Sequence, residues 1–371
     1  MKFIKVLAIF AGTIIGVGIF GLPYIAMQSG FLVVVLYFLV IAGLAIIIHF
    51  LLGEVARDTH RIARIPGYAE EYLGPGGKKL SFVISSLGLM GALLAYLILG
   101  GHFLHLFCSS FIGGPVILYV LIFFVFGSFL IYQGRETIAS FQLIIQAVFV
   151  GLLILFFFKG LPFINLESLT TFSRQSIALP YGVVLFSLWG IALVPEVKEM
   201  VERDRRKLLW IISSGVIIAA ICYLFFIFTI LGVSGTGTTR DAISGFSKSI
   251  GHRIIYIGSL FGLITTFTSF ITLGLTLKKI FWYDLKLSQK LSWTIACFVP
   301  LILYLVGLKN FINVIGLTGA IFLGLEGIIV IFIYRSFIRK RFQRQVGWYI
   351  YLLVGLLLIG MISQIIYFFI H

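Results

Sequence analysis

The sequence predicts an all-α polytopic membrane protein whose first and sixth spans are interrupted near mid-bilayer. Three observations carry that expectation. The 371 residues are 60% hydrophobic and only 11% charged, where soluble domains carry roughly 25% charged residues. Apolar stretches of spanning length follow one another with short connections. Two of those stretches hold helix-weakening residues at corresponding places.

A spanning helix needs about 20 mostly apolar residues. That length places spans at 4–28, 31–56, 80–108, 115–134, 138–159, 180–200, 208–233, 253–277, 291–307, 310–334 and 347–370. No long polar segment separates them, so residues 1–371 are expected to form one transmembrane domain. The N-terminal MKFIKVLAIF has two lysines before an apolar run, as a secretory signal does. The run continues past signal length and no A-x-A site follows, so it reads as a retained first span.

Lysines and arginines set the orientation. With a cytoplasmic N-terminus, 22 of the 28 fall on the cytoplasmic side, Arg61, Arg135 and Arg203 among them. Lys159, Arg174, Arg240, Lys248, Arg253 and Lys309 fall outside, as does the C-terminal His371. The formal net charge of +15 is therefore an orientation signal that can also touch anionic lipid. It is not a nucleic-acid face. Cys108, Cys222 and Cys297 lie in or beside apolar segments with no CxxC pairing, which argues against a disulfide or zinc framework.

The first span contains GTIIGVGIFGLP, residues 12–23. Each interior Gly costs a helix about 1 kcal/mol and Pro about 3. Irregular backbone at membrane depth is tolerated only where it is buried in protein or lines a cavity. A break is predicted at Gly16-Val17-Gly18, about halfway between Lys5 and Gln28. Gly12-xxx-Gly16 is also a GxxxG, and close helix packing alone could explain it. Inverted repeats, however, predict a second interruption five helices later. The sixth span, PYGVVLFSLWGIALVPEVKEM, supplies it with Ser187, Gly190 and Pro195. Two interrupted helices at matching places favour a transporter.

GTIIGVGIFGLPYIAMQSGF resembles the first-span motif of amino acid permeases, and IPGYAEEYLG (65–74) looks like the loop after their second span. LFSLWGIALVPEVKE and TTFTSFITLGLTLKKIFWYDL (265–285) resemble their sixth and eighth spans. Together these are most similar to the aromatic and hydroxy amino acid (tryptophan/tyrosine) permeases of the amino acid/polyamine/organocation superfamily. The resemblance implies a leucine-transporter-like fold of two inverted five-helix repeats, about 4–159 and 180–334, with discontinuous helices 1 and 6. An eleventh, accessory helix covers about 347–370. It also implies alternating access.

An amino acid presents a carboxylate and an ammonium. The half-helix after the first break offers free N–H groups at Val17, Gly18 and Ile19, with Gly16 at the break, to the carboxylate. Backbone carbonyls near Gly12 and Thr13, or around Phe186 and Ser187, could accept from the ammonium. Tyr96 and Trp189, the latter beside Gly190, are candidates for the side-chain pocket, although either could be simple packing. Thr265, Thr268 and Ser269 share one helical face at i, i+3 and i+4, and hydroxyl oxygens suit a hard cation such as Na⁺. By resemblance Thr268 and Ser269 carry a sodium site, with Gly12 and Ile15 as backbone donors. The alternative is hydroxyls bonded back to their own helix.

Proton coupling is the rival. Relatives that use protons can place a basic group in the fifth span; here that span offers Gln142 and Gln146 mid-helix, with Lys159 only at its outer end, which favours Na⁺. Ionisable groups within spans default to functional hypotheses. Glu326, His49 and His102 are the candidates for proton-linked roles. No cofactor is expected. His102-xx-His105 with His49 could hold a metal in a membrane enzyme, but HExxH, GxSxG and P-loop motifs are absent.

The expectation is thus a non-enzymatic, ion-coupled (Na⁺ or H⁺) symporter of a neutral, aromatic amino acid in the cell (inner) membrane. Its partners are that small molecule and the lipid bilayer, with no oligomeric state specified. Two alternatives stay open: a proton-coupled permease for other small amino acids or amines, and a channel-like or non-transporting protein on the same scaffold.

Overall fold

The computed structural model describes residues 2–59, 63–134, 142–202, 204–251 and 253–370. Arg61, Arg135, Arg203 and His371, used above for orientation, lie outside the described residues. The first span is two helices, α1 (Lys2–Ile14) and α2 (Gly18–Ser29), bent by 54°. The backbone gives way where glycines flank Val17, while Pro23 stays inside α2 without ending it. A turn at Gly30, with φ of 108°, leads into α3 (Phe31–Asp58).

Helix α4 (Ile65–Ile112) departs from expectation. IPGYAEEYLG was expected as a loop and the third span only from residue 80, yet the chain is helical from Ile65, with a kink at Gly74 before Pro75. Pro66 occupies the first turn, where its missing N–H costs nothing. Ile65, Gly67, Tyr68 and Ala69 are buried while Glu71 is exposed. This helix is amphipathic and too polar for a spanning-length test to register it.

Helices α5 (Val116–Gln133) and α6 (Gln142–Gly160) complete the first half. The sixth span is again broken, into α7 (Pro180–Leu188), one 3₁₀ turn at Ile191–Leu193 and α8 (Val194–Met200). Helix α9 (Arg205–Ser234) is capped by Asp204, whose carboxylate accepts from the Arg206 and Lys207 N–H groups. A short helix α10 (Ile243–Ile250), not anticipated, lies before α11 (Arg253–Lys279). Then come α12 (Gln289–Leu305), α13 (Phe311–Leu317), a π turn at Thr318–Leu323, α14 (Gly324–Phe342) and α15 (Tyr349–Ile370).

Among the described residues nine helices are long and apolar enough to cross a membrane, and the bent α1–α2 pair makes ten. The ninth predicted span, α12, is apolar but only 17 residues long.

Helices α4 and α11 pack extensively on each other, α1 and α3 pack on α9, and α7 packs on the π turn between α13 and α14. That last contact is backbone on backbone. A Cβ on Gly319 would overlap the Gly182 carbonyl, and one on Gly182 the Gly316 carbonyl. Helix α15 covers this junction, and Gln364 Oε1 accepts from the Gly182 N–H at 3.2 Å. It thereby satisfies one of the orphan amides at the start of α7.

Candidate functional site

The two breaks lie side by side and one side chain ties them together. Tyr223, fully buried on α9, donates to the Ile14 carbonyl at 2.8 Å and lies 3.0 Å from the Ser187 carbonyl. It accepts from the Gly16 N–H at 3.3 Å. Three backbone groups freed by unwinding thus meet one hydroxyl. Sequence reasoning missed this residue, although a lone Tyr in mid-span needs a partner for its hydroxyl when buried. The approach is close: a Cβ on Gly18 would overlap Ser187 Oγ.

The expected free amides are only partly free. Ile19 N–H donates to the Gly16 carbonyl at 3.4 Å and Phe20 N–H to the Val17 carbonyl at 3.2 Å. Tyr96 Oη is hydrogen-bonded with the Val17 backbone and the Ser269 side chain. Ile19 is therefore not an open donor. Of the expected acceptor carbonyls, that of Ser187 is engaged by Tyr223, and Trp189 N–H donates to that of Phe186 at 3.5 Å.

Beside the breaks is a cavity of about 180 Å³. Gly12, Thr13, Gly16, Gly18, Tyr96, Phe186, Ser187, Trp189 and Gly190 line it, so most of the predicted substrate residues border one cavity, while Val17 and Ile19 do not. Thr13, Ala192 and Thr272 are exposed within the bundle. The cavity reaches Arg64 and Pro195 at the face carrying most of the basic residues. Leu89, Ala92, Leu273 and Leu323 make much of it apolar. Glu326 is the acidic side chain on its wall: its carboxylate accepts from Ser85 Oγ at 2.6 Å and from Trp189 Nε1 at 2.8 Å.

On the other side of the first break is a cleft of about 20 Å³, lined by Gly12, Ile15, Gln146, Thr265, Thr268 and Ser269 among others. A cavity of 10–15 Å³ or more on this measure holds about one water, so the cleft is sized for a single small species. Thr265 Oγ1 is buried without a hydrogen-bond partner. Thr268 Oγ1 donates to the Ile264 and Thr265 carbonyls at 3.0 and 3.1 Å, which leaves its lone pairs available. Gln146 packs over Gly12 so closely that no Cβ would fit there. Gly12, Gly16 and Ser269 border both spaces.

The histidines do not come together. His49 Nε2 accepts from the Gly190 N–H at 3.2 Å, and its ring packs against Phe10 and Trp189; it holds the second break. His102 instead lies 3.5 Å from the Asp241 carboxylate, while the His105 ring packs on Tyr119. The three-histidine metal site weighed from sequence is not assembled. Among the described residues no group of three or more His, Cys, Asp or Glu could hold a metal.

A helical bundle with two facing broken helices, a central cavity and a second cleft against the same break defines a membrane transporter of leucine-transporter-like fold. The chain belongs to the tryptophan/tyrosine permease family, which it matches over residues 1–371. It is 22% identical over 324 residues to Glutamine transporter 2 of Aliivibrio fischeri (strain ATCC 700601 / ES114), covering 84% of this chain and 83% of that protein. Similar folds occur in Mhp1, a nucleobase-cation-symport-1 family transporter in a closed conformation with bromovinylhydantoin bound (TM-score 0.70, 14% identity, 98% and 90% of the two chains). MhsT in complex with L-phenylalanine is comparable (TM-score 0.69, 15% identity, 99% and 98%). The chain is a multi-pass membrane protein of a transporter family rather than an enzyme.

Proposed function

We propose that this protein is a secondary active transporter that imports a neutral, ring-sized amino acid together with Na⁺ by alternating access. Its N-terminus and basic face lie in the cytoplasm and its C-terminus outside the cell (inner) membrane. The observation that carries the reading is the cavity beside the paired breaks at residues 15–17 and 189–190, where backbone freed by unwinding meets a largely apolar space with Glu326 and Arg64 on its wall. Half-helix ends aim dipoles at a zwitterion in this way. About 180 Å³ exceeds the roughly 150 Å³ apolar cavity known to take benzene, so an aromatic side chain fits. The family's description names tryptophan and tyrosine, and the Aliivibrio relative is named for glutamine.

Residues 4–159 and 180–334 are the two repeats, with 347–370 accessory. The substrate's polar end lies against the backbone of Gly16, Gly18, Phe186, Ser187 and Gly190, with Val17 behind them. It uses the second lone pairs of the carbonyls and competes with Tyr223 and His49 for the Gly16 and Gly190 N–H groups. Tyr96 and Trp189 flank its side chain. The small cleft is the Na⁺ site: Thr265, Thr268 and Ser269 offer hydroxyl oxygens, and Gly12 and Ile15 offer carbonyls. Its wall is shared with the substrate cavity through Ser269 and Gly12. Occupancy of one can therefore bias the other.

Uptake of the twenty amino acids into proteoliposomes, with Na⁺ and pH gradients imposed separately, tests this. Saturable accumulation driven by the Na⁺ gradient is expected. The Thr268→Ala/Ser269→Ala double variant should lose that stimulation, and unchanged sodium dependence eliminates the cleft as the ion site. Passive flux in place of accumulation would mean a channel.

A further inference from the structure

Glu326 lies in the first turn of α14, directly after the π turn that packs on α7. It is 7% exposed and borders the large cavity. Its two carboxylate oxygens each accept one hydrogen bond, from Ser85 on α4 and from the Trp189 indole N–H at the second break. Among the described residues no lysine or arginine pairs with it. A carboxylate offers about four lone-pair sites, so two are filled by the protein and two are left. A buried carboxylate without a counter-charge is costly, and Glu326 borders the space the substrate enters.

We infer that Glu326 reads the substrate's side chain and selects neutral amino acids bearing a side-chain hydrogen-bond donor, an assignment that rests on the transport reading above. An indole N–H, a phenol O–H or a carboxamide NH₂ completes the acceptor set; phenylalanine, leucine and methionine leave it unfilled. Acidic side chains are repelled by the same carboxylate. Cationic ones meet Arg64 on the cavity wall. Because Trp189 holds Oε2 and its ring contacts His49, which in turn holds Gly190, the acceptor is fixed to the break that binds the substrate's polar end.

The test uses matched pairs that differ in the donor: tyrosine against phenylalanine, and glutamine against methionine, in proteoliposomes of the full-length protein. Unmodified protein should favour the donor-bearing member of each pair in KM by roughly tenfold or more, the range for a hydrogen bond to a charged group. Glu326→Gln, an isostere that keeps one acceptor oxygen, should bring each ratio to within about threefold of one. Unmodified protein that handles both members of each pair alike overturns the assignment without any variant. So does a Glu326→Gln protein that keeps its ratios but loses pH dependence, which marks a proton carrier instead. Absence of saturable uptake for every amino acid overturns the transport reading itself, a different failure from uptake without discrimination.

Discussion

The bundle differs sharply on the two sides of its breaks. Toward the basic face, Thr13, Ala192 and Thr272 are exposed to a cavity. Toward the other face, Gly18 through Pro23 are all buried. There Phe20 stacks edge-on with Phe103 at 4.7 Å and meets Phe226 at 6.3 Å. Above this aromatic layer Arg240 sits over the Tyr24 ring at 5.7 Å and His102 reaches Asp241. One face is open and one is sealed, as the alternating access proposed above requires of a single state. The seal is built from contacts worth about 0.5–1.5 kcal/mol each rather than from one strong lock, so it can be undone piece by piece. The breaks are the boundary between the halves.

The most drastic way to break this asymmetry is at Gly18. Any side chain there collides with Ser187, and overpacked sites cost typically 1–3 kcal/mol even when the structure adapts. Gly18→Leu should push α2 off α7 and reduce uptake by roughly a hundredfold or more, with the protein still monodisperse on size exclusion. Near-normal uptake would mean that the two breaks need not touch.

A smaller loss is expected from Tyr223→Phe. The variant keeps the ring against Phe38 but strands the Ile14 and Ser187 carbonyls and the Gly16 N–H. Each buried orphan costs about 1–3 kcal/mol where water cannot replace the bond. Uptake rate should fall roughly tenfold and the thermal transition should drop. If both stay at the unmodified values, the breaks are held by packing alone.

This brace shows where sequence legibility ends. The broken helices were readable because glycine and proline announce backbone cost wherever they occur, and spans were readable because lipid imposes a length. The partners of the freed groups were not, since Tyr223 is 209 residues from Ile14 and Glu326 is 241 from Ser85. The hydroxyl face of α11 was legible as a helical pattern, but the fit of Gln146 against Gly12 is a tertiary fact. Helix α10 and the start of α4 went unseen for another reason: amphipathic helices of 8–10 residues look like polar connections when only hydropathy is counted.

The finest probe of the asymmetry is Asp241, on the sealed face and outside the spans. Burial pushes its carboxyl up, but hydrogen bonds from His102, the His102 charge, and hydrogen bonds from Ser244 and Thr239 outweigh burial and hold it down at about 2. A folded value below the ordinary carboxylate value of about 3.9 means that the charged form stabilises the closed loop. That contribution is whole above about pH 4 and is lost as pH falls toward 2. With Cys108, Cys222 and Cys297 replaced, an Ala26→Cys reporter, fully buried in α2, should react slowly with an impermeant thiol reagent from the sealed side. Asp241→Asn should speed that reaction a few-fold at pH 7, while the same reporter without it should show no pH-dependent opening from Asp241 between pH 5 and 8, once the reagent's own pH dependence is divided out. Equal labelling rates with and without Asp241→Asn would place the seal wholly in the aromatic layer beneath it.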